Sequence, residues 1–234
     1  MFSIFKNKDG LIKNRLELVS IHIPKTAGTS FRGVLKEVYG EQEVIRLDIG
    51  LIKQELRINE VVFSKNKLSK NIRVAHGHFS PALLKAHFEI APEVPFITWL
   101  RDPIERVISN YFYLQKRLKE ELEEEKKGLN ILSKMQRSLL EYAQSEINQN
   151  RMSKFLEGIE LEELFFIGIQ DYFAEDLQFI AQKLQWPPIQ ELKYNITGRK
   201  NDQVSPEERQ QIADLNQKDV ALYEKALSLR SKRT

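Results

Sequence analysis

An apolar segment, Leu16–Ile23 (LELVSIHI), runs straight into Pro24-Lys25-Thr26-Ala27-Gly28-Thr29-Ser30 and then into residues with helical spacing. No other part of the chain constrains its fold as strongly. The aliphatic and β-branched run reads as a buried strand. Phe31, Val34, Leu35 and Val38 recur at the spacing of one helix face over Ser30–Tyr39, with Gly40 as a stop. A strand, a tight loop and a helix in that order aim free backbone N–H groups and the positive helix end at whatever lies over the loop. Gly28 lets a ligand approach the backbone, Thr29 and Ser30 add hydroxyl donors, and Lys25 adds a mobile charge. The loop, with Thr26 and Ala27 inside it, suits a phosphate. An ordinary turn, in which Ser or Thr caps the helix and Lys faces solvent, would carry the same residues.

A second junction of the same kind follows Phe96–Leu100 (FITWL), which reads as another buried strand. Asp102 suits an N-cap, Pro103 the first helical position and Glu105 a capping box, so a helix is expected from Pro103 to about Leu118. An apolar strand ending in Asp also resembles a Walker B metal ligand. Capping is the simpler role for Asp102, and no bound Mg²⁺ is expected. Capping does not explain Arg101, a fixed charge at the carboxyl end of a strand, where open α/β sheets bind ligands and where a guanidinium suits bidentate phosphate contact. Ser109 lies seven residues beyond the cap, about two turns, and falls on the same side of the helix.

Asn71–His78 (NIRVAHGH) reads as a further short strand. Strands alternating with helices predict an α/β fold: a central, mostly parallel sheet flanked by helices in three layers, with a helix-rich C-terminal half. Ser133–Leu156, Ala174–Leu184 and Pro206–Leu229 read as largely amphipathic helix, interrupted by Trp186-Pro187-Pro188. Glu43–Leu68 carries no clear pattern and is expected to hold substrate-facing connections. The charge run LKEELEEEKKG reads as a solvated helix end or loop. At 234 residues, a single domain over 1–234 is expected.

Lys and Arg number 36 against 33 Asp and Glu, a net charge of +3. No global field therefore attracts nucleic acid or an anionic membrane, and any anion site is local. There is no cysteine, which excludes disulfides and thiolate metal sites and fits a reducing compartment. The start has only a four-residue apolar patch before Lys6, and no run approaches the roughly 20 apolar residues of a transmembrane segment, so a cytoplasmic location is expected.

Four histidines occur: His22, His76, His78 and His87. On an extended segment His76 and His78 share a face, with Gly77 between them leaving room for a substrate. Zinc would need further ligands, and none stands at a recognisable spacing, so no metal is expected. An imidazole titrating near neutrality suits a group that accepts a hydroxyl proton. A hydrogen-bonded structural role stays open for either residue. His22 reads as structural and His87 as a surface residue.

IHIPKTAGTSF, Ile21–Phe31, resembles the 5′-phosphosulfate loop of the carbohydrate sulfotransferases related to heparan sulfate 2-O-sulfotransferase. FITWLRDPIERVISNYFY resembles that family's 3′-phosphate motif, and AHGHFSP its His-Gly-His segment. NQNRMSKFLEG, ELFFIGIQDYFAEDLQFIAQKLQW and DLNQKDVALYEKA resemble its later segments, so most of the chain is covered. The resemblance implies a P-loop-NTPase-like fold and 3′-phosphoadenosine 5′-phosphosulfate (PAPS) as the sulfuryl donor. It puts Lys25, Thr26, Ala27, Gly28, Thr29 and Ser30 on the phosphosulfate, Lys25 also stabilising charge on the departing phosphate, and Arg101 and Ser109 on the 3′-phosphate. His78 is then the general base, with His76 orienting the substrate or sharing the proton. Arg199 and Lys200, in Asn195–Asn201, stand where related enzymes close a loop over the nucleotide, or are solvated loop charges.

The implied acceptor is a hydroxyl on a polysaccharide or glycolipid. The animal enzymes' amino-terminal membrane anchor and cysteines are missing here, which implies a compact cytoplasmic version. A kinase or NTPase P-loop needs Lys directly after its last Gly, whereas Lys25 precedes Gly28 by three. A non-catalytic nucleotide-binding protein would retain the same loop, and the oligomeric state is left open.

Overall fold

The computed structural model describes residues 10–123, 137–189 and 204–233. The chain forms two compact units: Met1–Leu100 with Lys154–Asn195, and Arg101–Ser153 with Ile196–Thr234.

The first unit is built on a seven-stranded sheet. In chain order its elements are β1 (Leu18–Ile21), helix α1 (Gly28–Tyr39), β2 (Val44–Ile49), β3 (Leu56–Ile58), β4 (Val61–Val62), β5 (Val74–Gly77), α2 (Pro81–His87), β6 (Phe96–Leu100), β7 (Phe166–Ile169) and a helix at Phe173–Lys183. The strand order is β4-β3-β2-β5-β1-β6-β7. β2, β5, β1, β6 and β7 run parallel, while β3 and β4 extend the β2 edge as an antiparallel hairpin. The strand expected at Leu16–Ile23 is thus β1, that at Asn71–His78 is β5, and FITWL is β6.

Two parts of the sheet carry no clear strand signal in the sequence. Glu43–Leu68 contains β2 and the β3–β4 hairpin. The hairpin turns on Asn59 and Glu60, both at positive φ (48° and 71°), which is the pattern of a type I′ turn written without glycine and hence hard to see in sequence. Phe166–Ile169 is a buried strand of four residues, too short to separate from helix by periodicity.

Parallel register puts residues of matching parity on one face. On one face Leu18, Val44 and Val74 are level, and Ile97 and Phe166 are level with Ser20, one dipeptide further on; all but Ser20 pack with Phe31, Val34 and Leu35 of α1 and with Phe173, Leu177 and Ile180. Following that face toward the carboxyl ends, Arg46 is level with His76, and His76 with Ser20. On β2, β5 and β1 the face therefore changes from aliphatic to polar over a single dipeptide step, while β6 and β7 keep Ile97 and Phe166 in that row. The connection leaving β1 runs to one side of it, to β2, whereas those leaving β5 and β6 run to the other. The carboxyl ends of β1 and β5 thus flank the place where the winding reverses, where open α/β sheets bind ligands.

The second unit is helical among its described residues: α3 (Pro103–Glu123), Leu139–Gln144, Pro206–Leu215 and Gln217–Ser231, with the start of the short helix Arg151–Phe155. Val107, Ile108, Leu139, Tyr142, Ala143, Val204 and Ile212 form its core. Asp102 Oδ1 accepts the Glu105 N–H at 2.9 Å, as an N-cap should. The Glu105 carboxylate pairs with Arg209 at 2.6 Å. Asp219, fully buried, accepts the N–H groups of Met152 (2.9 Å) and Ser153 (2.8 Å) and the Ser153 hydroxyl (2.7 Å), tying the last helix to residues 66 and 67 positions earlier.

Candidate active site

Residues Pro24–Ala27 carry β1 into α1 with two non-glycine residues in the left-handed region, Lys25 at φ 73° and Ala27 at φ 68°. Such a conformation costs roughly 1–2 kcal/mol per L-residue. It recurs in anion-binding nests, where successive N–H groups are gathered into a concavity. Ala27 is the N-cap of α1 and supplies no side-chain hydrogen bond to the helix start. The helices beginning at Pro81, Leu139 and Pro206 are each capped by a serine hydroxyl. The ordinary capped turn is therefore absent at α1, whose N–H groups face the loop without a side-chain acceptor on the N-cap. Thr26 is buried, its hydroxyl donating to the Ile23 carbonyl at 2.8 Å, which braces the loop from within. Thr29 is exposed and Ser30 half-buried at the helix head.

Gly28 is required for a reason other than ligand access. A Cβ there would lie 1.9 Å from His22 Cδ2, so the His22 ring packs directly on the loop backbone. His22 in turn lies between two other imidazoles, with centroids 5.0 Å from His76 and 4.4 Å from His78 and interplanar angles of 21° and 30°. His76, His22 and His78 thus form a column whose middle ring sits on the backbone of the loop. His22 stacks on His76 and meets His78 at a tilt, the arrangement of packing rather than of nitrogens converging on an ion. Among the described residues no cluster of three or more His, Asp or Glu could hold a metal.

The column is graded. His76 is 2% exposed, its Nδ1 lies 2.9 Å from Ser20 Oγ, and its Nε2 has no hydrogen-bond partner. Burial, then the positive charges of His78 and Arg32, bring its pKa down to about 3, opposed by the nearby Gly28 backbone and Asp48. Burial likewise holds His22 well below the ordinary imidazole value, with His76, His78, Arg46 and Arg32 adding to it. Both are neutral at physiological pH. His78, by contrast, has a side chain 29% exposed, and its Nδ1 is 2.8 Å from Asp48 Oδ1. The Phe155 ring lies beside that of His78, with centroids 6.2 Å apart and planes tilted by 60°.

Gly77 does not leave the room that sequence spacing suggested. A Cβ on it would come within 1.9 Å of the Leu47 carbonyl oxygen, so its missing side chain serves the close approach of β2 to β5. Asp48 is the residue that sequence reasoning missed. It sits in the stretch that showed no pattern, and its only sequence signal is the alternation of Arg46 and Asp48 with aliphatics in VIRLDI. The structure brings Lys25–Ser30, His76 and His78 together in the first unit. Arg101 follows β6 directly, with its side chain 15% exposed, and Ser109 lies half-buried on α3; both belong to the second unit. Arg199 and Lys200 lie outside the described residues. Among those described, no helix is long and apolar enough to cross a membrane.

Residues 8–226 match the model of a family described as the Sulfotransferase family. The chain is also similar to heparan sulfate 2-O-sulfotransferase 1 of Homo sapiens, 31% identical over 116 residues, and to that of Cricetulus griseus, 30% identical over the same length. Each alignment covers 46% of this chain and 32% of the relative, so the chain matches about a third of the length of these curated relatives.

Proposed function

The chain belongs to the sulfotransferase family, and from that premise we propose that it transfers a sulfuryl group from PAPS to a hydroxyl on a carbohydrate, with His78 as general base and without a metal. The proposal includes a P-loop-NTPase-like, three-layer arrangement and one sulfotransferase domain over residues 1–234. A reducing, cytoplasmic location suits a chain without cysteine.

The observation that carries it is the continuity from loop to base: an uncapped helix start and strained loop, the His22 ring seated on Gly28, and His78 packed on His22. The residues present fit an anionic donor. Lys25, the α1 N–H groups and the hydroxyls of Thr29 and Ser30 would hold the 5′-phosphosulfate, and Arg101 and Ser109 the 3′-phosphate. His78 Nε2 accepts the acceptor's hydroxyl proton while that oxygen bonds to sulfur and the bond from sulfur to the phosphate oxygen breaks. Lys25 and the loop N–H groups offset the charge left on the phosphate. Nothing more than positioning and electrostatics is required of the protein, as in phosphoryl transfer. His76, buried and neutral, supports the column rather than reaching the acceptor.

Thermal unfolding tests the donor assignment. At about 100 times Kd, a ligand that binds only the native state adds roughly 2.7 kcal/mol, which for a chain of this size raises Tm by about 5–10 °C. The desulfated product 3′-phosphoadenosine 5′-phosphate is expected to give that shift, AMP and ATP with Mg²⁺ little, and Arg101→Ala to abolish it. A larger shift with ATP and Mg²⁺ would make the chain a kinase or NTPase and overturn the reading.

A further inference from the structure

A histidine can act as a base at one nitrogen only when its other nitrogen carries the proton, and which nitrogen that is depends on the partner each one faces. At His78 that partner is Asp48. Oδ1 of Asp48 meets the same residue twice, accepting from the His78 backbone N–H at 3.0 Å and lying 2.8 Å from the ring Nδ1. The double contact fixes the carboxylate against both main chain and side chain of His78, so the ring cannot rotate about its Cβ without losing a bond. Oδ2 is held by Arg46 Nε at 2.7 Å. Arg46 is itself gripped by Glu60 through Nη1, while its backbone N–H donates to Asn59 Oδ1 at 2.9 Å and its carbonyl accepts from the Asn59 N–H at 2.8 Å. Asn59 and Glu60 are the two turn residues of the β3–β4 hairpin. A chain of contacts thus runs from an exposed hairpin turn, through Arg46 and Asp48, to the imidazole.

The register explains why these groups meet. Arg46 is level with His76 on the neighbouring parallel strand, so Asp48, two residues on, comes level with His78, and the Ile49 N–H bonds to the His78 carbonyl. Burial acts to raise the Asp48 pKa, but the two hydrogen bonds from His78 and the charges of His78 and Arg46 outweigh it and leave the carboxyl below its ordinary value. Asp48 is therefore an acceptor only, and the proton between it and Nδ1 belongs to the ring.

We infer that Asp48 is a positioning residue for His78: it holds the proton on Nδ1, keeps the Nε2 lone pair as the basic site and fixes the ring plane, with Arg46 and the Asn59–Glu60 turn bracing the carboxylate. The role rests on the reading of His78 as the base. The bracing groups lie on β2 and the hairpin, so the base is oriented by a part of the sheet distinct from the donor loop.

The test is ¹⁵N NMR of histidine-labelled protein at pH 7.5, with His78 assigned by its loss in His78→Gln. Wild-type protein is expected to show the neutral tautomer with hydrogen on Nδ1, and Asp48→Ala to lose it. Asp48→Asn, of the same size, covers a failure of the alanine variant to fold. Its amide keeps one acceptor oxygen where His78 and Arg46 together need two, so the Nδ1–H population falls. Hydrogen on Nε2 in the wild type, or an unchanged Nδ1–H tautomer in either variant, overturns the inference. Binding of 3′-phosphoadenosine 5′-phosphate, followed in the same samples, is expected to be unchanged by both substitutions. Its absence in wild-type protein would sink the donor assignment while leaving the tautomer result to decide the role of Asp48.

Discussion

Histidine at three positions of one column serves three different conditions, and burial separates them. His76 and His22 stay neutral in the fold, whereas an unfolded chain protonates both below about 6.5. Below that pH the unfolded state binds more protons than the native one, so stability is lost as pH falls from about 6.5 toward the folded value of His76, about 3. Each histidine contributes up to about 1.4 kcal/mol per pH unit in that window. Urea midpoints are therefore expected to drop steeply between pH 6.5 and 5. His76→Asn, which does not titrate, should remove about half of the slope, and an unchanged slope would mean that His76 is not held neutral. His78, Arg32, Arg46 and Asp48 remain in that variant, as does burial, the largest cause of the His22 shift, so His22 keeps its share of the slope. Sequence spacing was enough to put His76 and His78 on one face. It could not say which one is accessible, because that depends on the ring of His22, more than 50 residues earlier in the chain, lying between them.

At the level of elements, the junctions were legible and the edge was not. The Asp102 cap before α3 follows from local rules of helix starts, which depend on a few adjacent residues, and the β1–α1 junction from an apolar run that meets helical spacing. Asp102→Asn should unfold within about 0.5 kcal/mol of wild type and retain nucleotide binding, since Asn caps as well as Asp, whereas Asp102→Ala should lose about 1 kcal/mol. Loss of nucleotide binding in Asp102→Asn would point instead to a metal ligand. The β3–β4 hairpin escaped because Asn-Glu is an uncommon way to write its turn, and β2 because Arg46 and Asp48 interrupt its apolar run. Their cost is met by partners on other elements that no single window of sequence contains. The pairing of β2 with β5 leaves no space at Gly77. Gly77→Ala is expected to cost about 3 kcal/mol, read as a lowered urea midpoint, because the contact is with Leu47 backbone, which cannot rotate away.

Across the whole molecule, the chain passes between its two units after Leu100, after Ser153 and after Asn195, so neither unit is a continuous stretch that could be excised. Contacts between distant segments hold the second unit closed, and Asp219 is the clearest of them. Asp219→Ala would leave the Met152 and Ser153 N–H groups without their acceptor, and a loss of about 3 kcal/mol is expected, measured as an earlier thermal transition. Asp219→Asn, which can satisfy only part of the set, should fall in between. The division into two units interleaves four segments of the chain, which no reading of consecutive residues marks. The polar rows at the carboxyl ends of β2, β5 and β1 have a genetic consequence. Their partners meet because every second residue of three parallel strands faces the same way. Inserting one codon between Val44 and Asp48 would turn the carboxylate to the opposite surface of the sheet. Inserting two would restore its direction but carry it about 6.6 Å past the imidazole. Length variation in this family is thus expected outside β2 and its bracing turn, and not between Val44 and Asp48.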